Sequence, residues 1–353
     1  MPDLDAPQEF AACDPRGMLA FVAGLPQQCT EAWDRVQGFK LPDEYRRVRQ
    51  VVVLGLGGSA IGADLLRGLL AEECPVPVMV HRDYGLPAFV DAHTLVIASS
   101  YSGNTEETLS GFDEARRRGS RLLAVTTGGT LAQRARAWDI PLYLFHYETQ
   151  PRAALGYSLL SLLGIVQHLG LVGVKSNDVA EAISVMKQWQ EEIQPAVPTS
   201  ANLAKSLARE LYERLPVVYA AEHLSEVARR WKGQCNENSK SWAVYDVAPE
   251  LMHNTVAGYP YPPGLRDSLF VVVLQAPSNH PRVQLRFKLV CELLQRDGFR
   301  YRVIEARGQS RLAQMLSAVH LGDYVSYYLA MLYDADPWTI ANIDLLKERL
   351  SKG

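Results

Sequence analysis

From residue 49 onward, short β-branched apolar runs alternate with stretches in which apolar residues recur every three or four positions. The first kind reads as buried strand, the second as helix with one apolar face. Strands are expected at 51–54, 76–80, 94–99, 122–126 and 141–145. Helical runs lie between them, ending near Leu70, Arg118 and Ala137. Two helices, 153–169 and 179–192, follow before Pro195 and Pro198 punctuate the chain. The alternation then restarts, with strands at 216–220, 243–247, 269–275 and 301–305. Helices are expected from 225, over 281–296, over 312–333, and over 339–350 after the start signal Asp336-Pro337. Alternating strands and helices imply an α/β protein with two doubly wound parallel sheets, helices on both faces, and right-handed crossovers. The expected organisation is a helical lead-in at 1–48, a first domain at 49–194, and a second at 195–353 that carries the C-terminal helices.

The two halves read as two copies of one unit. Pro216 lies 165 positions after Val51 in the same place of the pattern, and 269–275 answers to 94–99. The loops that follow those latter strands differ. The first copy continues Ser100-Tyr101-Ser102-Gly103-Asn104-Thr105; the second continues Ala276-Pro277-Ser278-Asn279-His280-Pro281. The hydroxyls and the glycine are mostly gone from the second.

The chain has 353 residues, 48% hydrophobic and 21% charged, with a net charge of −3. Two globular domains fit that length. The near-neutral balance gives no nucleic-acid-binding surface, and no apolar stretch is long enough to span a membrane. Cys13, Cys29, Cys74, Cys235 and Cys291 are scattered, odd in number and without a CxxC pair. A disulfide framework or thiolate metal site is not expected, and a reducing, cytoplasmic setting is. The N-terminus carries no signal-peptide pattern.

The Ser100–Thr105 loop leaves a strand and enters a helix. Ligands of open parallel sheets sit beyond the carboxyl ends of the strands. A helix N-terminus there offers free N–H groups and a positive dipole end, both suited to a phosphate. Ser100, Ser102 and Thr105 add donors, and no lysine marks a nucleotide-triphosphate loop. The alternative is a polar turn in which Asn104 or Thr105 caps the helix. Glu106 and Glu107 are expected to point away from any bound dianion. The turn Gly55-Leu56-Gly57-Gly58-Ser59-Ala60-Ile61-Gly62 is open to two readings. It could be a dinucleotide fingerprint, with Asp83 as ribose acceptor, or a backbone cradle beside a sugar, with Ser59 as a donor. In the second half, the polar cluster from Lys232 to Lys240 reads either as a solvated helix end or, with His253, as half of an acid–base pair. Arg152 sits at a helix start, where a cation is electrostatically misplaced, which points to a ligand role.

In order and spacing these motifs closely resemble the bifunctional phosphoglucose/phosphomannose isomerase family, built from two sugar isomerase (SIS) domains. The resemblance rests on Gly-Leu-Gly-Gly-Ser-Ala-Ile-Gly at 55–62, Ser-Tyr-Ser-Gly-Asn-Thr-Glu-Glu-Thr at 100–108 and Pro-Arg-Ala-Ala-Leu-Gly at 151–156. It continues through Asn-Glu-Asn-Ser-Lys at 236–240, Pro-Glu-Leu-Met-His-Asn at 249–254, Leu-Gly-Asp-Tyr-Val-Ser-Tyr-Tyr-Leu-Ala at 321–330 and the stretch 343–347. It implies that Ser59, Ser100, Ser102 and Thr105 hold a sugar phosphate, with Gly57 and Gly58 close to it. It further implies that Glu237 moves a proton between C1 and C2, that Arg152 stabilises the enediolate, and that Lys347 lines the site. His253 would assist ring opening, reaching it from the partner subunit of a homodimer. No metal and no cofactor are implied. Met252 and Thr255 depart from the asparagine and acidic residue expected beside the histidine. The segment 335–339 departs from an expected Pro-Thr-Pro, and Thr339 is a candidate for accepting the mannose epimer.

The resemblance implies an enzyme that interconverts glucose 6-phosphate, and mannose 6-phosphate, with fructose 6-phosphate. The alternatives are a SIS-type sugar-phosphate binder without chemistry, an isomerase for another sugar phosphate, and a nicotinamide-dependent oxidoreductase. Glu237, His253, Arg152 and Lys347 together favour an enzyme over a binder, because a binder needs only the phosphate loop. Saturable micromolar NAD(P)H binding would favour the oxidoreductase.

Overall fold

The computed structural model describes residues 3–350 and Lys352. The chain divides into two compact units. One comprises Gly24–Ser184 with Ser310–Ala313; the other comprises residues up to Ala23, Val185–Gln309 and the chain from Gln314 on.

The first unit is built on five parallel strands: β1 (Gln50–Leu54), β2 (Val78–His81), β3 (Thr94–Ser100), β4 (Arg121–Thr126) and β5 (Leu142–Leu144). Their order is β2-β1-β3-β4-β5. β3 is central and every one of its seven residues is buried, which explains its unbroken apolar run: a strand covered on both faces has no polar side to show. Val52, Leu54, Val96 and Ala98 pack with Phe112, Leu131 and Ala135 from the crossover helices. The Leu25–Gln37 helix lies against the Leu155–His168 helix. The approach is close enough that a Cβ on Gly164 would fall 2.2 Å from a Val36 methyl.

The second unit repeats the plan with β6 (Leu215–Ala221), β7 (Val244–Ala248), β8 (Leu269–Gln275) and β9 (Tyr301–Glu305), in the order β7-β6-β8-β9. β6 stands where β1 stands, and β8 where β3 stands. In both sheets the chain runs one way from the first strand and then returns to its other side, so the β1/β3 and β6/β8 boundaries are the switch points where such folds open a crevice. The nine expected strands are all present with bounds shifted by at most two residues. Leu203–Leu211 and the short Leu265–Ser268 were not among the helices expected; the N-cap of the former, Asn202, accepts from the Lys205 N–H.

The second unit also contains a buried polar seam. Along the Ser225–Asn238 helix, Arg230, Gln234 and Asn238 recur every four residues and so share one face. Arg230 donates to both carboxylate oxygens of Asp323 (3.1 and 2.6 Å), Gln234 donates to Asp323 (2.9 Å), and the Asn238 amide donates to Ser326 (3.0 Å). The partners lie on the Arg311–Leu332 helix. Trp231 fits beside Gly322 and donates its indole N–H to the Ala318 carbonyl at 2.9 Å; a Cβ on Gly322 would sit 2.2 Å from that nitrogen. Burial pushes the Asp323 carboxyl up against the opposing pull of Arg230.

Candidate active site

In the first unit, the turn after β1 and the loop after β3 meet at the switch point. The Ser59 hydroxyl, buried at the first turn of the Gly57–Leu70 helix, accepts from the Tyr101 N–H at 2.9 Å. Ser100 and Thr105 share a hydroxyl–hydroxyl hydrogen bond of 3.0 Å, and Ser100 Oγ accepts from the Gly103 N–H at 3.1 Å. Ser102 is exposed and accepts from the Asn104 N–H. The four hydroxyls proposed for phosphate therefore sit on one preorganised loop pair. Tyr101 fixes its outer side, accepting from the Thr149 N–H at 2.9 Å and donating to the Tyr147 carbonyl.

The N-cap expectation is corrected in detail. Thr105 occupies the N-cap of the Glu106–Arg117 helix, but its side chain caps nothing, because its hydroxyl is turned to Ser100. Asn104 caps a different helix: its Oδ1 accepts from Thr130 N–H at 2.9 Å in the first turn of Gly129–Ala137. The Glu106–Arg117 helix thus keeps the uncapped N-terminus that an anion needs. The Glu106 carboxylate is drawn to the Tyr84 hydroxyl at 3.2 Å. Gly103 has φ +69°, and a Cβ there would fall 1.9 Å from the Gly128 carbonyl oxygen, so only glycine closes this loop.

Arg152 belongs to the same place. It is 3% exposed on the short Pro151–Ala153 turn. Its backbone lies against Gly58, where a Cβ would come within 2.6 Å of both Arg152 N and Pro151 C. Gly62 likewise admits the Ser158 side chain. Gly55, Gly58 and Gly62 are thus explained by close backbone and helix packing, while Gly57 has left-handed backbone, φ +51°, with open space around it. Asp83, the candidate ribose acceptor, is engaged locally with the Tyr84 N–H (2.8 Å). Substituting Gly58→Ala should force the Arg152 backbone away. Overpacking of this kind costs about 1–3 kcal/mol, and a displaced Arg152 should lower kcat/KM by about 10- to 100-fold. Steady-state kinetics with a melting curve test this; unchanged kinetics would detach Arg152 from the site.

The remaining candidates lie in the second unit. Glu237 is half-buried in the last turn of the Ser225–Asn238 helix. The 232–240 cluster is a helix end only partly solvated: the helix runs through Asn238 and Lys240 is exposed, but Gln234, Cys235 and Asn238 are buried. His253 is exposed at the end of the Glu250–Met252 turn after β7. Lys347 is exposed on the Ala341–Leu350 helix. Among the described residues, no group of three or more His, Cys, Asp or Glu is placed to hold a metal ion, and no helix is long and apolar enough to cross a membrane.

A family model described as the SIS domain matches residues 44–163, and one described as the bacterial phospho-glucose isomerase C-terminal SIS domain matches 200–350. A bifunctional phosphoglucose/phosphomannose isomerase of Caldicellulosiruptor bescii is 41% identical over 336 residues, covering 95% of this chain and 99% of that protein. The chain belongs to the bifunctional phosphoglucose/phosphomannose isomerase family. It is an isomerase. A second member, from Aquifex aeolicus, is 36% identical across 91% of this chain and 99% of its own length. The fold is shared with a tagatose-6-phosphate ketose/aldose isomerase structure from Escherichia coli, at TM-score 0.73 and 17% identity over 92% of this chain and 95% of that one.

This isomerase's second SIS copy has lost the first copy's cradle in a definite way. Glu222 lies 165 positions after Gly57, and the two share left-handed backbone, φ +52° and +51°. The Glu222 carboxylate accepts from Asn279 Nδ2 at 2.6 Å and from the His280 N–H at 3.2 Å. His280 is the N-cap of the Pro281–Arg296 helix. Its own Nδ1 accepts from the Arg282 N–H at 3.1 Å, so this second helix N-terminus is capped, and Glu222 ties down the two residues just before it. The departures beside His253 also have partners. Met252 packs on the apolar cluster around Tyr219 and Phe287, and the Thr255 hydroxyl donates to Asp246.

Proposed function

We propose that this isomerase interconverts glucose 6-phosphate, and mannose 6-phosphate, with fructose 6-phosphate through an enediol intermediate. One observation carries the reading: an uncapped helix N-terminus, ringed by the hydroxyls of Ser59, Ser100, Ser102 and Thr105, is locked to the glycine turn against which buried Arg152 packs. The names of the full-length relatives support the same substrates.

In this reading the phosphate anchors on the first SIS domain, with Gly57 and Gly58 beside it. That remote binding energy aligns the reacting carbons. His253 protonates the ring oxygen while the anomeric hydroxyl loses its proton, and the sugar opens to its aldehyde. Glu237 then takes the proton from C2, the electrons move to the carbonyl oxygen, and Arg152 stabilises the resulting enediolate. A proton passes from O2 to O1, Glu237 returns its proton to C1, and the ketose results. Lys347 lines the same site, and Thr339 is proposed to admit the mannose epimer. The function divides between residues 49–194, which hold phosphate and Arg152, and 195–353, which supply the base.

His253 is proposed to act across a homodimer. The exposure of His253 supports this. So does the last helix, exposed throughout, with apolar Leu346 and Leu350 61% and 68% exposed. The five cysteines are free, which supports a reducing, cytoplasmic setting.

The test is a coupled assay with EDTA present: fructose 6-phosphate is supplied with glucose-6-phosphate dehydrogenase and NADP, and NADPH is followed. Turnover is expected, with conversion of mannose 6-phosphate in a parallel assay. Folded protein that binds fructose 6-phosphate without turnover would sink the reading in favour of a binding protein.

A further inference from the structure

We propose that Lys240 is a positioning residue for Glu237, holding the helix end that carries the base in register with the turn that leads to the C-terminal helix. The proposal rests on the assignment of Glu237 as base. Lys240 immediately follows the helix C-cap Ser239 and has left-handed backbone, φ +53°. Helices commonly end on such a residue, and glycine is its usual occupant because any Cβ is penalised there. Lysine brings only strain to the backbone, so a gain must come from its side chain.

That side chain folds back over the helix end. Lys240 Nζ donates to the Glu237 carbonyl at 3.0 Å and to the Asn238 carbonyl at 3.1 Å. These carbonyls belong to the last turn, which lacks intrahelical donors, and a cation suits the negative end of the helix dipole. The same ammonium also donates to the Asp336 carbonyl. Asp336 in turn organises its own turn: its carboxylate accepts from the Trp338 N–H at 2.8 Å, and its carbonyl accepts from the Thr339 hydroxyl. One ammonium therefore ties the backbone of Glu237 to the 336–339 turn. On the opposite side of the helix end, Asn238 is held by Ser326. The helix end that carries Glu237 is thus held through Asn238 and through Lys240, and Lys240 also reaches the 336–339 turn.

The decisive variant is Lys240→Gly, because glycine relieves the strained backbone while deleting the clamp. A purely structural lysine predicts no loss of turnover from a variant whose fold is intact. The positioning role predicts a kcat lower by about 10- to 100-fold, since a base misplaced by about 1 Å loses that much. KM for fructose 6-phosphate should stay within about threefold, and the melting temperature should be unchanged or higher. Lys240→Arg, which keeps the cation, should recover most of kcat. The double variant Glu237→Gln/Lys240→Gly should be no slower than Glu237→Gln alone, because the two act as one unit. The proposal is overturned by a Lys240→Gly enzyme within twofold of wild-type kcat, by a loss confined to KM, or by a fall matched by a lower melting temperature in both the glycine and arginine variants. If Glu237→Gln itself retains turnover, the base assignment falls and Lys240's role falls with it. If Glu237→Gln is dead and Lys240→Gly is fully active, only the role of Lys240 falls.

Discussion

Glu237→Gln should lower kcat by about 10³-fold while leaving KM for fructose 6-phosphate within a few-fold of wild type. The amide has the shape of the carboxylate and can still accept hydrogen bonds, but it cannot take a proton from carbon. Substrate affinity should survive because the proposed phosphate donors lie on the loops after β1 and β3, far along the chain from residue 237. The helix should survive too, since its buried face is made by Arg230, Gln234 and Asn238. Initial-rate kinetics beside a melting curve separate these outcomes. A variant with near-native kcat would place the base elsewhere.

Arg230→Met should destabilise the protein by about 3–5 kcal/mol, the usual consequence of leaving one member of a buried ion pair alone. Arg230 and Asp323 are 4% exposed each, so water does not repair the loss. The effect should depend on pH with a definite sign. Burial already pushes the Asp323 carboxyl up, and Arg230 opposes that push. Without the guanidinium the folded-state pKa rises further above its unfolded value. The protonated form is then the one the fold tolerates, so the variant is least impaired at acid pH and loses stability as pH rises through the raised pKa. Denaturation of wild type and variant at pH 5 and pH 8 measures this. The pair Arg230→Met/Asp323→Leu should recover much of the loss at pH 8. Equal destabilisation at both pH values would mean that lost packing, not a stranded charge, is the cause.

The order and type of the strands were legible because parallel strands buried on both faces leave unbroken β-branched runs, as β3 and β8 show. The Leu203–Leu211 helix was harder to see. Pro195 and Pro198 draw attention as breakers, yet Asn202 followed by Leu203, Leu207, Ala208 and Leu211 is a capped helix with one apolar face. In the candidate site, the strand-to-helix loop of hydroxyls could be read from its residues, while the capping partners could not. Asn104 serves a helix that begins 25 residues later, and no local spacing reports such a bond. The Lys232–Lys240 cluster misled for a related reason. Arg230, Gln234 and Asn238 look like a solvated stripe until Asp323 and Ser326, nearly ninety residues on, are known to face them. The left-handed conformation of Lys240 and Glu222 was likewise invisible, because neither residue type advertises it.

The carboxylate of Glu222 bears on how a duplicated gene is spent. Two copies of one unit would ordinarily offer two mouths for the same ligand. Here the first copy keeps its helix N-terminus uncapped, and the second is closed by the chain's own side chains, His280 on Arg282 and Glu222 on Asn279 and His280. The position matching Glu222 in the first copy is Gly57, and the helix cap supplied by His280 has no counterpart at the Glu106–Arg117 helix. Titration with fructose 6-phosphate is therefore expected to find one site per chain, not two. The stoppered copy, relieved of binding, is free to act as the frame from which a base is presented.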